Sequence, residues 1–167
     1  MIYLLDANSF IQAKNFHYRM KVVPGFWDWL LKDHQGLAIQ SIDHVYRELT
    51  KSTTSQDGLH FWAQHNKAIF AKSSDENIQT EYAEIANHVA QHPVYSSTEV
   101  TRFLSGADPW LIAAAKAWEA TIVTHEVLVA SNSKKVKIPN VAREFKVDYI
   151  DVFDLLEQSA CELVLGI

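Results

Sequence analysis

Four acidic residues fall at positions from which a carboxylate cluster could be built. Asp6 directly follows the apolar run Ile2 to Leu5, and Glu48 lies in an amphipathic stretch. Asp108 stands before Pro109, and Glu126 follows the apolar run Thr121 to Thr124. A carboxylate placed after a buried strand needs a partner, because burying it unpaired is costly. Clustered carboxylates repel one another unless a cation lies between them. Magnesium takes oxygen ligands, keeps several waters and suits a site made of a few carboxylates plus a substrate phosphate. Two such ions could activate water and stabilise the leaving oxygen of a phosphodiester. Each acid alone has a plainer role open to it. Asp108 before Pro109 is a natural helix cap, and Asp43 sits in a first helical turn, where negative charge is favourable. Asp33 is a further acid with no comparable support. The ordered set of four is the specific feature.

The elements that would position these acids are legible from apolar spacing. Ile2 to Leu5 reads as a buried parallel strand. Pro24 opens a helix through Phe26, Trp27, Trp29, Leu30 and Leu31, with Gly36 behind its end. Leu37 to Gln40 reads as a second strand, after which Ser41 caps a helix carrying Ile42, Val45, Tyr46 and Leu49. From about Gln56 the pattern is helical: Leu59, Phe61, Trp62, Ile69 and Phe70 fall into one helix. Ile78, Tyr82, Ile85, Ala86 and Val89 form another, closed by Pro93. Ser97 or Thr98 caps a helix running to Gly106, and Asp108-Pro109 begins an alanine-rich helix, Trp110 to Ala120, suited to close packing on a sheet. Thr121 to Thr124 is a strand. Val136 to Ile138, a helix near Asn140 to Phe145, a strand Val147 to Ile150 and a helix from Asp151 complete the chain. Short apolar strands alternating with helices indicate an α/β domain with a mostly parallel sheet. In such sheets ligands gather at the carboxyl ends of the strands, where the four acids would converge.

At 167 residues the chain fits one domain, 1–167. Its 48% apolar and 21% charged residues are ordinary for a globular protein. The one cysteine, Cys161, excludes an intrachain disulfide and a cysteine-rich zinc site, and reads as a small buried hydrophobe. The N-terminus lacks a signal-peptide pattern and nowhere do 18 apolar residues run together, so the expectation is a cytoplasmic protein with no membrane partner. A formal charge of −5 argues against a general nucleic-acid coat protein, though not against an enzyme concentrating acids in one pocket.

Leu4-Leu5-Asp6-Ala7-Asn8-Ser9, Ser41-Ile42 with Glu48-Leu49, Asp108-Pro109-Trp110-Leu111-Ile112-Ala113-Ala114-Ala115 and Ile122-Val123-Thr124-His125-Glu126 resemble PIN-domain motifs in their usual order. Lys135-Val136-Lys137-Ile138-Pro139-Asn140, followed by Tyr149-Ile150-Asp151, resembles more narrowly an uncharacterised bacterial PIN-like family related to VapC toxins. The resemblance covers essentially the whole chain. It implies a three-layer α/β/α sandwich, cleavage of RNA dependent on Mg²⁺ or Mn²⁺, a cognate antitoxin and commonly a homodimer. It also implies that Asp6, Glu48 and Asp108 are the core metal ligands and Glu126 the fourth acid, with Asn8 and Thr124 orienting them by hydrogen bonds. The chain departs from the pattern twice. The fourth position is more often aspartate, and the longer stretch between Glu48 and Asp108 implies an added helical segment.

Lys14, Tyr18, Arg19 and Lys21, with Phe16 and His17 among them, form a basic and aromatic segment for RNA phosphates and bases. Lys134, Lys135, Lys137, Arg143 and Lys146 form a second basic cluster, and both are also explained as ordinary surface charge. The five tryptophans are expected in the core or an interface. His88 and His92 share a helical face but lack a third metal ligand, and His125 reads as a loop residue. Two other functions fit parts of the pattern. One is a degenerate PIN-like binding or assembly module, left open by Glu126. The other is a phosphatase acting on small esters, disfavoured because Asp6-Ala7-Asn8 lacks a second aspartate and there is no glycine-rich phosphate loop.

Overall fold

The computed structural model describes residues 1–32, 34, 36–51 and 58–164. Asp33 and the expected helix start near Gln56 lie outside the described residues. Five parallel strands form one sheet in the order β3-β2-β1-β4-β5. They are β1 (Ile2–Leu5), β2 (Ala38–Ile42), β3 (Phe70–Ala71), β4 (Thr121–Val123) and β5 (Tyr149–Ile150). Successive strand residues point to opposite faces, yet Tyr3, Leu4 and Leu5 of central β1 are all buried. Both faces of the sheet are therefore covered, which is the expected α/β/α sandwich.

The helices are α1 (Ala7–Gln12), which runs on into a π-helical turn at Ala13–His17, α2 (Pro24–Leu30), α3 (Asp43–Thr50) and α4 (Gly58–His65). They continue with α5 (Glu76–Gln91), α6 (Ser97–Leu104), α7 (Asp108–Ala117), α8 (Ile138–Glu144) and α9 (Val152–Gln158). The long stretch between Glu48 and Asp108 holds α4, α5 and α6 among the described residues. α7 matters most to the site. Leu111 to Ala115 are all buried, so this helix is enclosed on every side, as its packing against α5, α8, β4 and β2 requires. Three consecutive alanines let those neighbours approach its backbone.

The sequence reading differs from the structure where local grammar is ambiguous. Ser41 does not cap a helix: it lies within β2, and its hydroxyl donates to the Leu5 carbonyl at 2.6 Å. α3 starts at Asp43, with Ile42 as an uncapped N-cap. Ile69 and Phe70 do not continue α4; a 3₁₀ turn at Lys67–Ile69 leads into edge strand β3. The cap of α6 is Ser96 rather than Ser97 or Thr98. The helix expected near Asn140 to Phe145 opens two residues earlier, at Ile138, and ends at Glu144. Trp27 and Trp29 are in the core, while Trp62, Trp110 and Trp118 pack against it half-buried, as does Cys161.

Because Ile112 is fully buried in the helix that carries Asp108, Ile112→Ala should destabilise the fold by about 2–5 kcal/mol. Urea denaturation would show a lower midpoint at unchanged slope.

Candidate active site

The strand order reverses once. From β1 the chain steps outward to β2 and β3, then returns to place β4 on the other side of β1. In such sheets the crevice at the reversal, at the carboxyl ends of the strands, is where ligands bind. Here it lies between Asp6, which follows β1, and Thr124, which follows β4. Asp6 donates its backbone N–H to the Val123 carbonyl at 3.1 Å. Its side chain caps α1, with Oδ1 accepting the Ser9 N–H at 2.6 Å and Oδ2 accepting the Thr124 hydroxyl at 2.6 Å. The Ser9 hydroxyl in turn donates to the Val123 carbonyl at 2.9 Å. The carboxylate thus stitches the seam between β1 and β4. Asp6 is only 2% exposed, and burial pushes its carboxyl up to about 6 even though the Ser9 and Thr124 bonds favour the ion.

Asp108 is the first residue of α7 and not its cap. The N-cap is Ala107, and the Asp108 side chain makes no capping bond. Burial first, then the charges of Glu126, Asp6 and Glu48, push its carboxyl up to about 7. Attraction to a helix N-terminus is worth ~0.3–1 kcal/mol, less than one pKa unit at about 1.36 kcal/mol per unit. Desolvation and the neighbouring acids win. Among the described residues nothing donates a hydrogen bond to this carboxylate.

Glu48 reaches from α3 to the start of α7, where Oε1 accepts the Ala107 N–H at 2.7 Å. Gly106 makes room for it, since a β-carbon there would lie 3.1 Å from Oε1. Oε2 of Glu48 has no hydrogen bond among the described residues. Glu126 is more heavily committed. Oε1 meets Lys137 Nζ at 2.6 Å and Oε2 accepts the Ile138 N–H, the first of α8, at 2.8 Å. The Thr124 hydroxyl oxygen also accepts the Glu126 N–H at 3.0 Å. A ligand role for Glu126 would require it to release Lys137.

The four acids therefore share one sheet edge and one electrostatic field. Among the described residues, however, no three Asp, Glu, His or Cys side chains converge as a ready-made set of metal ligands. The donor chemistry fits a hard divalent cation: all-carboxylate oxygen, with one unpartnered carboxylate held against its ionisation. Asp6, Asp108 and the free oxygen of Glu48 are the groups that would hold it.

Asn8 is half-buried and makes no side-chain hydrogen bond among the described residues. In the basic segment Arg19 and Lys21 are exposed, while one face of the Tyr18 ring stacks on buried Phe26 at 4.2 Å. Lys14 is half-buried. Lys137 of the second cluster is the partner of Glu126. Asp43 is occupied by Ser73 and Arg47. Ser9 stands three residues after Asp6, and that capping interval is the sequence signal for its bond to the carboxylate. Phe153, whose ring stands near those of His17 and His125, carries no signal in the sequence.

The family described as a domain of unknown function (DUF4411) matches residues 3–163. The chain belongs to this family. No curated protein matches it. Among solved structures, VapBC2 from Rickettsia felis, bound to a DNA fragment from its promoter, is 17% identical at a TM-score of 0.55. That match covers 90% of this chain and 98% of that one. VapBC-1 from nontypeable Haemophilus influenzae is 19% identical, with the same TM-score and coverages. FitAcB from Neisseria gonorrhoeae is 17% identical at 0.53, covering 90% of this chain and 96% of that one. The likeness establishes the expected PIN-like fold for this DUF4411 chain.

The raised carboxyls set a sign for stability. A carboxyl whose pKa is higher folded than unfolded binds its proton more tightly in the folded state. The Asp6 and Asp108 contributions therefore favour folding at low pH and turn against it as pH rises from about 4 to about 7. Asp108→Asn should melt higher than the wild type near neutral pH without divalent cations. The advantage should vanish near pH 4, as read by calorimetric Tm against pH.

Proposed function

We propose that this chain is a divalent-cation-dependent endoribonuclease, the toxin of a toxin–antitoxin pair. The observation that carries this reading is the Asp108 carboxylate: unpartnered, desolvated, and facing the charges of three other acids across the switch-point crevice. Carboxyls perturbed in this way concentrate at functional sites, and a cation-assisted phosphodiester hydrolase gives this one a use. Magnesium or manganese bound there would supply positive charge to the phosphate and a water of lowered pKa. The rest is done by the chain. Ser9 and Thr124 fix both oxygens of Asp6, so that its position costs no reorganisation when substrate arrives. Ala107 holds Glu48 at the rim, and the enclosed helix α7 fixes Asp108. Glu126, held by Lys137, contributes negative charge that keeps Asp108 in need of a cation. Arg19 and Lys21 offer exposed positive charge for the RNA backbone.

The toxin role draws on the VapC resemblance and on the VapBC neighbours, whose names join two components. A partner protein bound over the crevice would silence the chain. No described helix is long and apolar enough to cross a membrane; action on RNA in the cytoplasm is part of the proposal.

Single-stranded RNA should be cut in Mg²⁺ or Mn²⁺ and left intact in chelator. Asp6→Asn and Asp108→Asn should each lower the rate by on the order of 100-fold or more, with the circular dichroism unchanged. Undiminished cleavage by either variant, or in chelator, would contradict the assignment. The engagement of both Glu126 oxygens favours one competing reading, a binding module on the same fold. That reading is supported instead if the protein cuts no RNA in any divalent cation but holds a partner protein tightly.

A further inference from the structure

The carboxyl edge of the sheet carries a second feature, beside the acids rather than among them. Three elements that follow three different strands bring aromatic rings together there. His17 comes from the π-helical turn after β1, His125 from the loop after β4, and Phe153 from α9 after β5. His17 and Phe153 meet edge to face at 5.2 Å, His17 and His125 lie 6.2 Å apart, and His125 and Phe153 lie 6.0 Å apart. Phe16 adjoins His17 at 6.4 Å and is 62% exposed, and Phe153 is 42% exposed. Partly exposed rings gathered at one edge offer a stacking surface to a planar group. A π-turn inserted in a helix is itself more frequent at functional sites than elsewhere.

A cavity of about 300 Å³ opens next to this cluster, lined by Thr124, His125, Glu126, Tyr149, Asp151 and Asp154 among others. Thr124 and Glu126 also belong to the acid crevice, so the cavity and the candidate scissile position share a wall. His125 lines this cavity, and its Nε2 is buried with no hydrogen-bond partner among the described residues, so none of them ties the ring by that nitrogen. Asp151 and Asp154, whose side chains form the capping box of α9, add negative charge to the lining, which disfavours a phosphate and is compatible with the amino groups of a base.

Resting on the ribonuclease reading, we propose that His17, His125 and Phe153 form a nucleobase subsite. It receives an unpaired base of single-stranded RNA adjoining the scissile phosphate and stacks it on the exposed rings of His17 and Phe153, with His125 at its side. The subsite accounts for the partition of chemistry along this edge: backbone charge at the acids, base surface at the rings. It also makes a duplex a poor substrate, since a paired base cannot leave its stack without losing its own pairing.

The test is binding in chelator, where cleavage does not enter. A short single-stranded oligoribonucleotide with 2-aminopurine at one position is titrated with the protein. Stacking should quench the fluorescence, and Phe153→Ala or His17→Ala should abolish the quench and weaken the Kd about tenfold, while Phe153→Tyr preserves both. An abasic residue in place of 2-aminopurine should weaken binding to the wild type by a similar factor and leave the Phe153→Ala Kd unaltered. Should Phe153→Ala fail to fold, the exposed His17 carries the same comparison. An unchanged quench in the alanine variants overturns the proposal, as does equal affinity for the abasic oligonucleotide. So does loss of a bound partner protein with oligonucleotide binding intact, which would make the rings a protein interface. Because binding is read in chelator and cleavage separately in Mg²⁺, a quench without any cleavage would sink the nuclease reading and spare the subsite, and cleavage without a quench would do the reverse.

Discussion

The structure depends on one buried carboxylate. Asp6 joins the end of β1 to the end of β4 through the Thr124 hydroxyl and opens α1 through the Ser9 N–H. Hydrogen bonds to an ionised acceptor are among the stronger polar contacts in proteins, and these two define where the central seam of the sheet ends. They do not fully offset burial, which still holds the carboxyl up to about 6. The fold therefore carries at its switch point a group that is positioned as an anion and not stabilised as one. A cation would supply what the two hydrogen bonds leave missing.

The other acids share that condition in graded form. Asp108 has no hydrogen bond among the described residues and the higher of the two raised values. Glu48 is exposed and half satisfied by the Ala107 N–H. Glu126 is satisfied on both oxygens, by Lys137 and by the start of α8. The order follows from what each acid also does for the fold. Glu126 ties the β4 loop to α8, Glu48 ties α3 to α7, and Asp108, at the head of a helix fixed by packing on all sides, ties nothing. Stability is spent at Asp108 and recovered in the enclosed alanine-rich helix behind it, a common division of labour at functional sites.

Much of this was legible in the sequence. The strands read at Ile2 to Leu5 and Thr121 to Thr124 put Asp6 and Thr124 at strand ends, although β4 stops at Val123. The amphipathic spacing of Ile78, Tyr82, Ile85, Ala86 and Val89 marked α5. The errors have physical reasons. A serine before an apolar helix reads as a cap, but Ser41 instead donates across the sheet to Leu5, a choice that only the strand register decides. Ile69 and Phe70 kept a helical period, yet β2 needed an edge partner, and tertiary pairing overrode the pattern. Asp108 before proline had the right type for a cap and the wrong backbone, since α7 already begins at it. The ring cluster of His17, His125 and Phe153 joins residues far apart in the chain, and no local spacing announces it.

The central claim, that Asp6 and Asp108 are held in want of a cation, is tested most directly by calorimetric titration with Mn²⁺ in buffers of different ionisation enthalpy. Cation binding must displace whatever protons the carboxyls hold. With one group near 6 and the other near 7, binding at about pH 6 should release on the order of one proton, visible as a buffer-dependent enthalpy, and binding at about pH 9 should release none. Absence of binding, or binding with no proton release at the lower pH, would contradict the account.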